Sequence, residues 1–163
     1  NSYKIAGWCS YPGIKKFLDN VYDPNYPTWD ISSRDAVVLR LAEMYLIKAE
    51  CQLYTANGTA AMETINALRQ VRAISGKNNS LSGTATLETV LQERAIELCG
   101  EQQRWFDLKR THTLVDHVKK YNAQGAGQIK ENHYLRPIPQ SQIDAVTNFS
   151  STSGQGFWQN AGY

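Results

Sequence analysis

The chain has 163 residues, 42% hydrophobic and 20% charged, with a formal net charge of +2. That composition suits one globular domain with a single buried core, and its scattered Lys and Arg lack the basic footprint of a nucleic-acid binder. No apolar run reaches the roughly 18 residues needed to span a bilayer.

The opening residues, Asn1-Ser2-Tyr3-Lys4, carry neither a starting Met nor a charged-then-apolar leader, so the sequence reads as a piece of a longer protein. Residues 1–34 mix aromatics with Gly, Pro, Asn and Asp and show no sustained period, which predicts loop with short extended pieces. From Asp35 the pattern becomes helical. Val38, Ala42, Tyr45, Ala49 and Leu53 step along one face and Val37, Leu41 and Met44 widen it, predicting a long, heavily buried helix.

Asn57-Gly58 offers a left-handed stop, and Thr59 a cap for a second helix whose stripe runs through Ala61, Ile65, Leu68, Val71 or Arg72 and Ser75. Two helices joined so tightly predict an antiparallel hairpin of about tetratricopeptide length, with Ala42, Ala49 and Ala61 where the helices approach. After a polar loop over residues 76–85, Thr86 suits the cap of a third helix that turns Leu87, Val90, Leu91, Ala95 and Leu98 inward. Gly100 interrupts it. Helical spacing resumes through Trp105, Leu108 and Leu114 or Val115, so a kink or a further helix follows. Beyond a Gly-rich stretch, His133 to Arg136 read as extended, Pro139 suits the start of a short helix over Gln140 to Val146, and the tail is irregular.

Glu93 to Arg110, ERAIELCGEQQRWFDLKR, concentrates the chain's charge patterning. Glu93 and Glu97 stand four apart, on one face of a helix. Two readings are open: a retaining glycosidase pair at about 5 Å, or ion-paired charges that orient the helix. Flanking arginines favour the second, because they hold both carboxylates ionised where catalysis needs one raised pKa.

Cys9, Cys51 and Cys99 have neither the spacing of a zinc or redox motif nor an even count for a disulfide framework, and His112, His117 and His133 show no partner pattern. No catalytic residue, metal site or cofactor is expected. Cys51 and Cys99 read as small buried hydrophobes.

Six segments in order, PGIKKF at Pro12–Phe17, RLAEMYLIKAE at Arg40–Glu50, INALRQVRA at Ile65–Ala73, the Glu93–Arg110 stretch, YLRPIPQSQID at Tyr134–Asp144 and QNAGY at Gln159–Tyr163, resemble the C-terminal region of the SusD/RagB family. Ala161 stands where that family usually has Pro, and Cys99 where it more often has an aromatic or another apolar residue. The resemblance implies a mainly all-α fold of tetratricopeptide-like hairpins with long irregular loops and a little extended structure. It implies one C-terminal domain over residues 1–163, with irregular aromatic-rich loops over 1–34, a helical scaffold over 35–120 and an irregular segment over 121–163.

Such proteins are non-catalytic, surface-exposed outer-membrane lipoproteins of Bacteroidetes. They bind glycans or other nutrients during polysaccharide utilisation and pass them to a SusC-like TonB-dependent transporter. The membrane contact implied is a lipid anchor in an N-terminal part this chain does not contain. On that reading Arg94, Glu97, Arg104, Asp107 and Arg110 are scaffold positions that fix the Glu93 helix against the hairpin. Sugar rings pack on aromatic faces, so Trp8, Tyr11, Tyr22, Tyr26 and Trp29, with Asp23, Asn25 and Asp30 among them, are the expected ligand platform. Trp105 and Phe106 read as core, and Trp158 and Tyr163 as anchors of the tail. The alternatives are an all-α glycoside hydrolase using Glu93 and Glu97, and a protein-interaction scaffold.

Overall fold

The computed structural model describes Lys16, residues 38–146 and residues 157–163, which fall into two compact units divided between Gln103 and Arg104. Every regular element among them is helical. The order is α1 Leu41–Tyr54, α2 Gly58–Arg72, α3 Leu87–Glu97, α4 Arg104–Arg110, α5 Leu114–Tyr121, a 3-10 turn Glu131–Tyr134 and α6 Gln140–Asp144. The all-α expectation holds.

In the first unit α1 and α2 form the predicted hairpin, but its turn works differently from the sequence expectation. Ala56 takes the left-handed conformation at φ 57°, and Asn57 caps α2 by accepting from the Ala60 amide at 3.0 Å. Thr59 therefore lies inside α2, and Gly58 opens the helix instead of ending the previous one. Gly58 serves close approach: a Cβ there would stand 2.8 Å from the Ala85 carbonyl oxygen, while the Ala85 amide donates to the Gly58 carbonyl at 3.0 Å.

That contact lies at the end of a return path. Asn66 pairs its side-chain amide with the Leu81 backbone, accepting from its N–H at 2.8 Å and donating to its carbonyl at 2.9 Å. The 73–86 segment is thereby led back along α2 to its start, so α3 runs parallel to α2 and antiparallel to α1. Thr86 caps α3, as expected, and exchanges side-chain-to-backbone bonds with Thr89 in a capping box. Ala49, Ala61, Met62, Ile65, Ala85 and Val90 form one buried cluster, and Leu46, Leu68 and Leu98 a second.

α1 is less buried than its composition suggests. Leu46, Ala49 and Glu50 face inward, whereas Val38 lies outside the helix at 83% exposure and Leu41 is 71% exposed. Cys51 and Cys99 are exposed, not buried. Cys51 follows Leu46 by five residues, about 140° round the helix at 100° per residue, which turns it to the outer side.

In the second unit α4 and α5 are joined through His112, at φ 53°, and their inner faces bury Asp107, Leu108, Leu114, Val115 and His117. Phe106 is 62% exposed, which corrects its expected core position: Leu108, two residues on, takes the inner face. His133 and Tyr134 belong to the 3-10 turn, so extended backbone begins only at Leu135, at φ −107° and ψ 167°, without a strand partner.

The tail docks on this stretch. Gln159 accepts from the Ile138 amide at 2.7 Å and donates to its carbonyl at 2.8 Å, and Asn160 donates to the Arg136 carbonyl at 2.6 Å. The Tyr163 hydroxyl donates to the Leu135 carbonyl at 3.0 Å, as its anchoring role required, while Trp158 remains exposed.

The hairpin geometry yields a paired prediction. Ala56→Gly removes the cost of an alanine at positive φ and raises stability by about 0.5–1 kcal/mol. Gly58→Ala forces its new Cβ against the Ala85 carbonyl and lowers stability by about 1–3 kcal/mol. Urea unfolding of the two variants, shifted in opposite directions from the parent, is the expected outcome.

Candidate functional site

The residues of Glu93 to Arg110 meet two sets of partners. On α3 and just past it, Glu93, Glu97 and Glu101 recur every four residues and face arginines from the hairpin. The Glu93 side chain, only 2% exposed, accepts from Arg69 Nη1 on one oxygen and from Arg72 Nη2 on the other, each at 2.6 Å. Glu97 accepts from Arg40 Nη1 at 2.8 Å and from Arg72 Nη1 at 2.7 Å, again one per oxygen. Arg40 Nε lies 3.0 Å from both oxygens of Glu101, which also accepts from Lys16. Arg94 stands 4.0 Å from Glu43 of α1.

Every carboxylate oxygen of Glu93 and Glu97 thus carries a guanidinium donor. Burial works against the charge on Glu97, but hydrogen bonds from Arg40 and Arg72 outweigh it and hold its pKa below the ordinary 4.5. Glu101 is lowered in the same way by Arg40 and Lys16, against its own burial. The Glu101 hydrogen bond chiefly raises Arg40 above the usual guanidinium value; burial opposes the rise in Arg72, which its bonds to Glu97 and Glu93 bring about. A glycosidase acid needs a raised pKa and an oxygen turned to the substrate. Glu97 has neither, and Glu93 lacks the oxygen. The ladder ties α3 to α1 and α2.

Arg104, Asp107 and Arg110 find partners within the second unit. Asp107 accepts from Arg110 Nη2 at 2.9 Å and Nε at 3.2 Å, and Arg104 Nη2 lies 3.2 Å from His117 Nδ1. The half-buried Trp105 ring has Lys109 Nζ 5.8 Å and Arg136 Cζ 6.0 Å from its centre. Lys109 is legible as the residue one turn beyond Trp105; Arg136 is brought in by the fold.

The expected ligand platform, Trp8, Tyr11, Tyr22, Tyr26 and Trp29, lies outside the described residues, as does Cys9. Among the described residues no group of three or more His, Cys, Asp or Glu could hold a metal ion, and no helix is long and apolar enough to cross a membrane.

The sequence profile of the SusD family matches residues 7–163. This chain belongs to the SusD family. It is 30% identical to SusD-like protein P25 of Formosa agariphila across 90% of its own length and 32% of that protein's. It is 32% identical to SusD-like protein P38 of the same organism over 53% of its length and 19% of the relative's. The SusD-family chain therefore spans a third or less of these curated relatives. No solved structure matches it.

The ladder predicts an acid-sensitive scaffold. Carboxylates whose folded pKa is lowered contribute stability that is complete above their unfolded value, about 4.5 here, and is lost as pH falls through the folded value. The stability gap between the parent and Glu97→Gln should be full at pH 7 and shrink progressively below pH 4.5 in urea titrations. Glu93→Gln, which leaves two guanidinium groups against a neutral amide, should cost about 2–4 kcal/mol at pH 7.

Proposed function

We propose that this chain serves non-catalytic binding of a glycan or other nutrient at the cell surface, as the C-terminal domain of a SusD-like protein that delivers its ligand to a TonB-dependent outer-membrane transporter. The observation that carries this reading is the SusD-family match over residues 7–163. It is supported by the arginine-saturated carboxylates of α3, which leave no oxygen of Glu93 or Glu97 for a reacting sugar.

On this reading the helices are a scaffold and the aromatic loops before Asp35 supply the ligand platform, with Trp8, Tyr11, Tyr22, Tyr26 and Trp29 as the stacking residues. The protein is an outer-membrane lipoprotein, its lipid carried on a preceding part of the full-length protein. Its partners are an oligosaccharide and a SusC-like transporter. The chain acts by capture and release and requires no cofactor.

Isothermal titration of the full-length protein against a panel of neutral and acidic oligosaccharides tests this directly. Heat of binding to at least one glycan class, with no reducing ends released on prolonged incubation, is the expected outcome. Substituting both Trp8 and Trp29 by Ala should weaken that binding about tenfold or more, on the basis of about 0.5–1.5 kcal/mol for each ring contact beyond its buried area. Reducing ends that appear with the parent and disappear in Glu97→Gln would restore the hydrolase reading.

A further inference from the structure

Trp105, Phe106, Lys109 and Arg136 make a surface that the scaffold reading leaves unused. Lys109 lies four residues after Trp105 and three after Phe106, so on α4 it neighbours both rings. Arg136, on the extended stretch after the 3-10 turn, brings a second cation to the same Trp105 ring, with Lys109 Nζ at 5.8 Å and Arg136 Cζ at 6.0 Å from its centre. The two groups, at 5.8 Å and 6.0 Å from one ring centre, can be no more than about 12 Å apart, within reach of neighbouring units of one oligosaccharide.

Neither cation has a carboxylate partner among the described residues. Asp107, the acid beside them on α4, is turned inward, buried, and bonded to Arg110. Arg136 is anchored through its backbone, where Asn160 donates to its carbonyl, a bond that does not occupy its guanidinium. Phe106, next to Trp105 on the same short helix and 62% exposed, offers an open apolar ring. A guanidinium takes a carboxylate or sulfate in a two-pronged grip, an ammonium adds a point charge, and an exposed ring accepts the C–H face of a pyranose.

We propose that Phe106, Lys109 and Arg136, arranged around Trp105, form a subsite for an acidic oligosaccharide, whose carboxylate or sulfate groups pair with the two cations while a sugar ring packs on Phe106. This rests on the reading of the protein as a glycan binder and narrows the ligand to an acidic polysaccharide. Trp105 is a positioning residue: it holds both cations by cation–π attraction.

The full-length protein is tested by affinity electrophoresis in gels containing polygalacturonate, carrageenan or dextran, which present carboxylate, sulfate and no charge. The parent should be retarded by at least one acidic polymer, and the retardation should fall as salt is raised. The double variant Lys109→Gln with Arg136→Gln should bind that polymer about tenfold or more weakly, as expected from losing two charge-assisted contacts. The swapped variant, Lys109→Arg with Arg136→Lys, keeps both charges and should retain most of the binding, which separates lost contacts from lost folding. Which acidic polymer responds distinguishes carboxylate from sulfate. Undiminished binding by the neutralised double variant overturns the subsite. Retardation by dextran but by neither acidic polymer overturns it and leaves the glycan-binding reading intact. Failure of all three polymers, and of the wider oligosaccharide panel, overturns both.

Discussion

The first unit depends on one constraint: a carboxylate on α3 that is almost fully buried must be met by positive charge. Glu93 sits 2% exposed between α2 and α3, and an ionised group so placed is tolerable only with its oxygens bonded. Arg69 and Arg72, three residues apart on α2, reach it from neighbouring positions. Ala85, just before α3, bonds to Gly58 at the start of α2, and Arg72 at the end of α2 reaches Glu97 near the end of α3, so α3 runs parallel to α2 after the return path over residues 73–86 that the Asn66–Leu81 pairing holds. Arg72 then divides its guanidinium between Glu93 and Glu97, and Arg40, just ahead of α1, closes the set on Glu97 and Glu101. Three helices are registered by one ladder of charge, while two buried apolar clusters supply the non-directional part of the stability.

This arrangement separates scaffold from chemistry. Glu97, whose pKa is lowered against its burial by the bonds from Arg40 and Arg72, is poorly suited to act as a proton donor near neutrality, and the oxygens of Glu93 and Glu97 are occupied by guanidinium donors. The same segment, Glu93 to Arg110, continues into the second unit with a different logic. There Asp107 is satisfied by Arg110 three residues away, and Lys109 is left to pack on Trp105. The directions of charge thus differ along eighteen residues of sequence: inward and paired on α3, and without an acidic partner for Lys109 among the described residues beside Trp105.

Much of the fold is legible in the sequence. The three-and-four spacing located the hairpin and α3, Thr86 marked a helix start, Gly100 a stop, and the four-residue repeat of Glu93 and Glu97 was rightly read as ion pairing beside the competing hydrolase reading. What could not be read is instructive in physical terms. α1 is apolar on nearly every side, so periodicity supplies no phase: Leu46 is buried while Leu41 and Cys51 are exposed. Gly58 looks like a turn residue, yet its reason is Ala85, 27 positions away, an approach that local propensity does not encode. Arg40, Arg69 and Arg72 converge on α3, and Arg136 on Trp105, through the course of the chain. The aromatic platform proposed before Asp35 lies outside the described residues, and the sequence reading placed Trp105 and Phe106 in the core, whereas Phe106 is 62% exposed.

The central claim is that the α3 carboxylates are structural and energetically coupled to the hairpin arginines. A double-mutant cycle between Arg69 and Glu93, with each replaced singly and together by Leu and followed by urea unfolding at pH 7, measures that coupling with least ambiguity. The account predicts a coupling energy within the range of about 0.5–3 kcal/mol for residues in one ionic network. A coupling below about 0.5 kcal/mol, the level expected of independent sites, would contradict it.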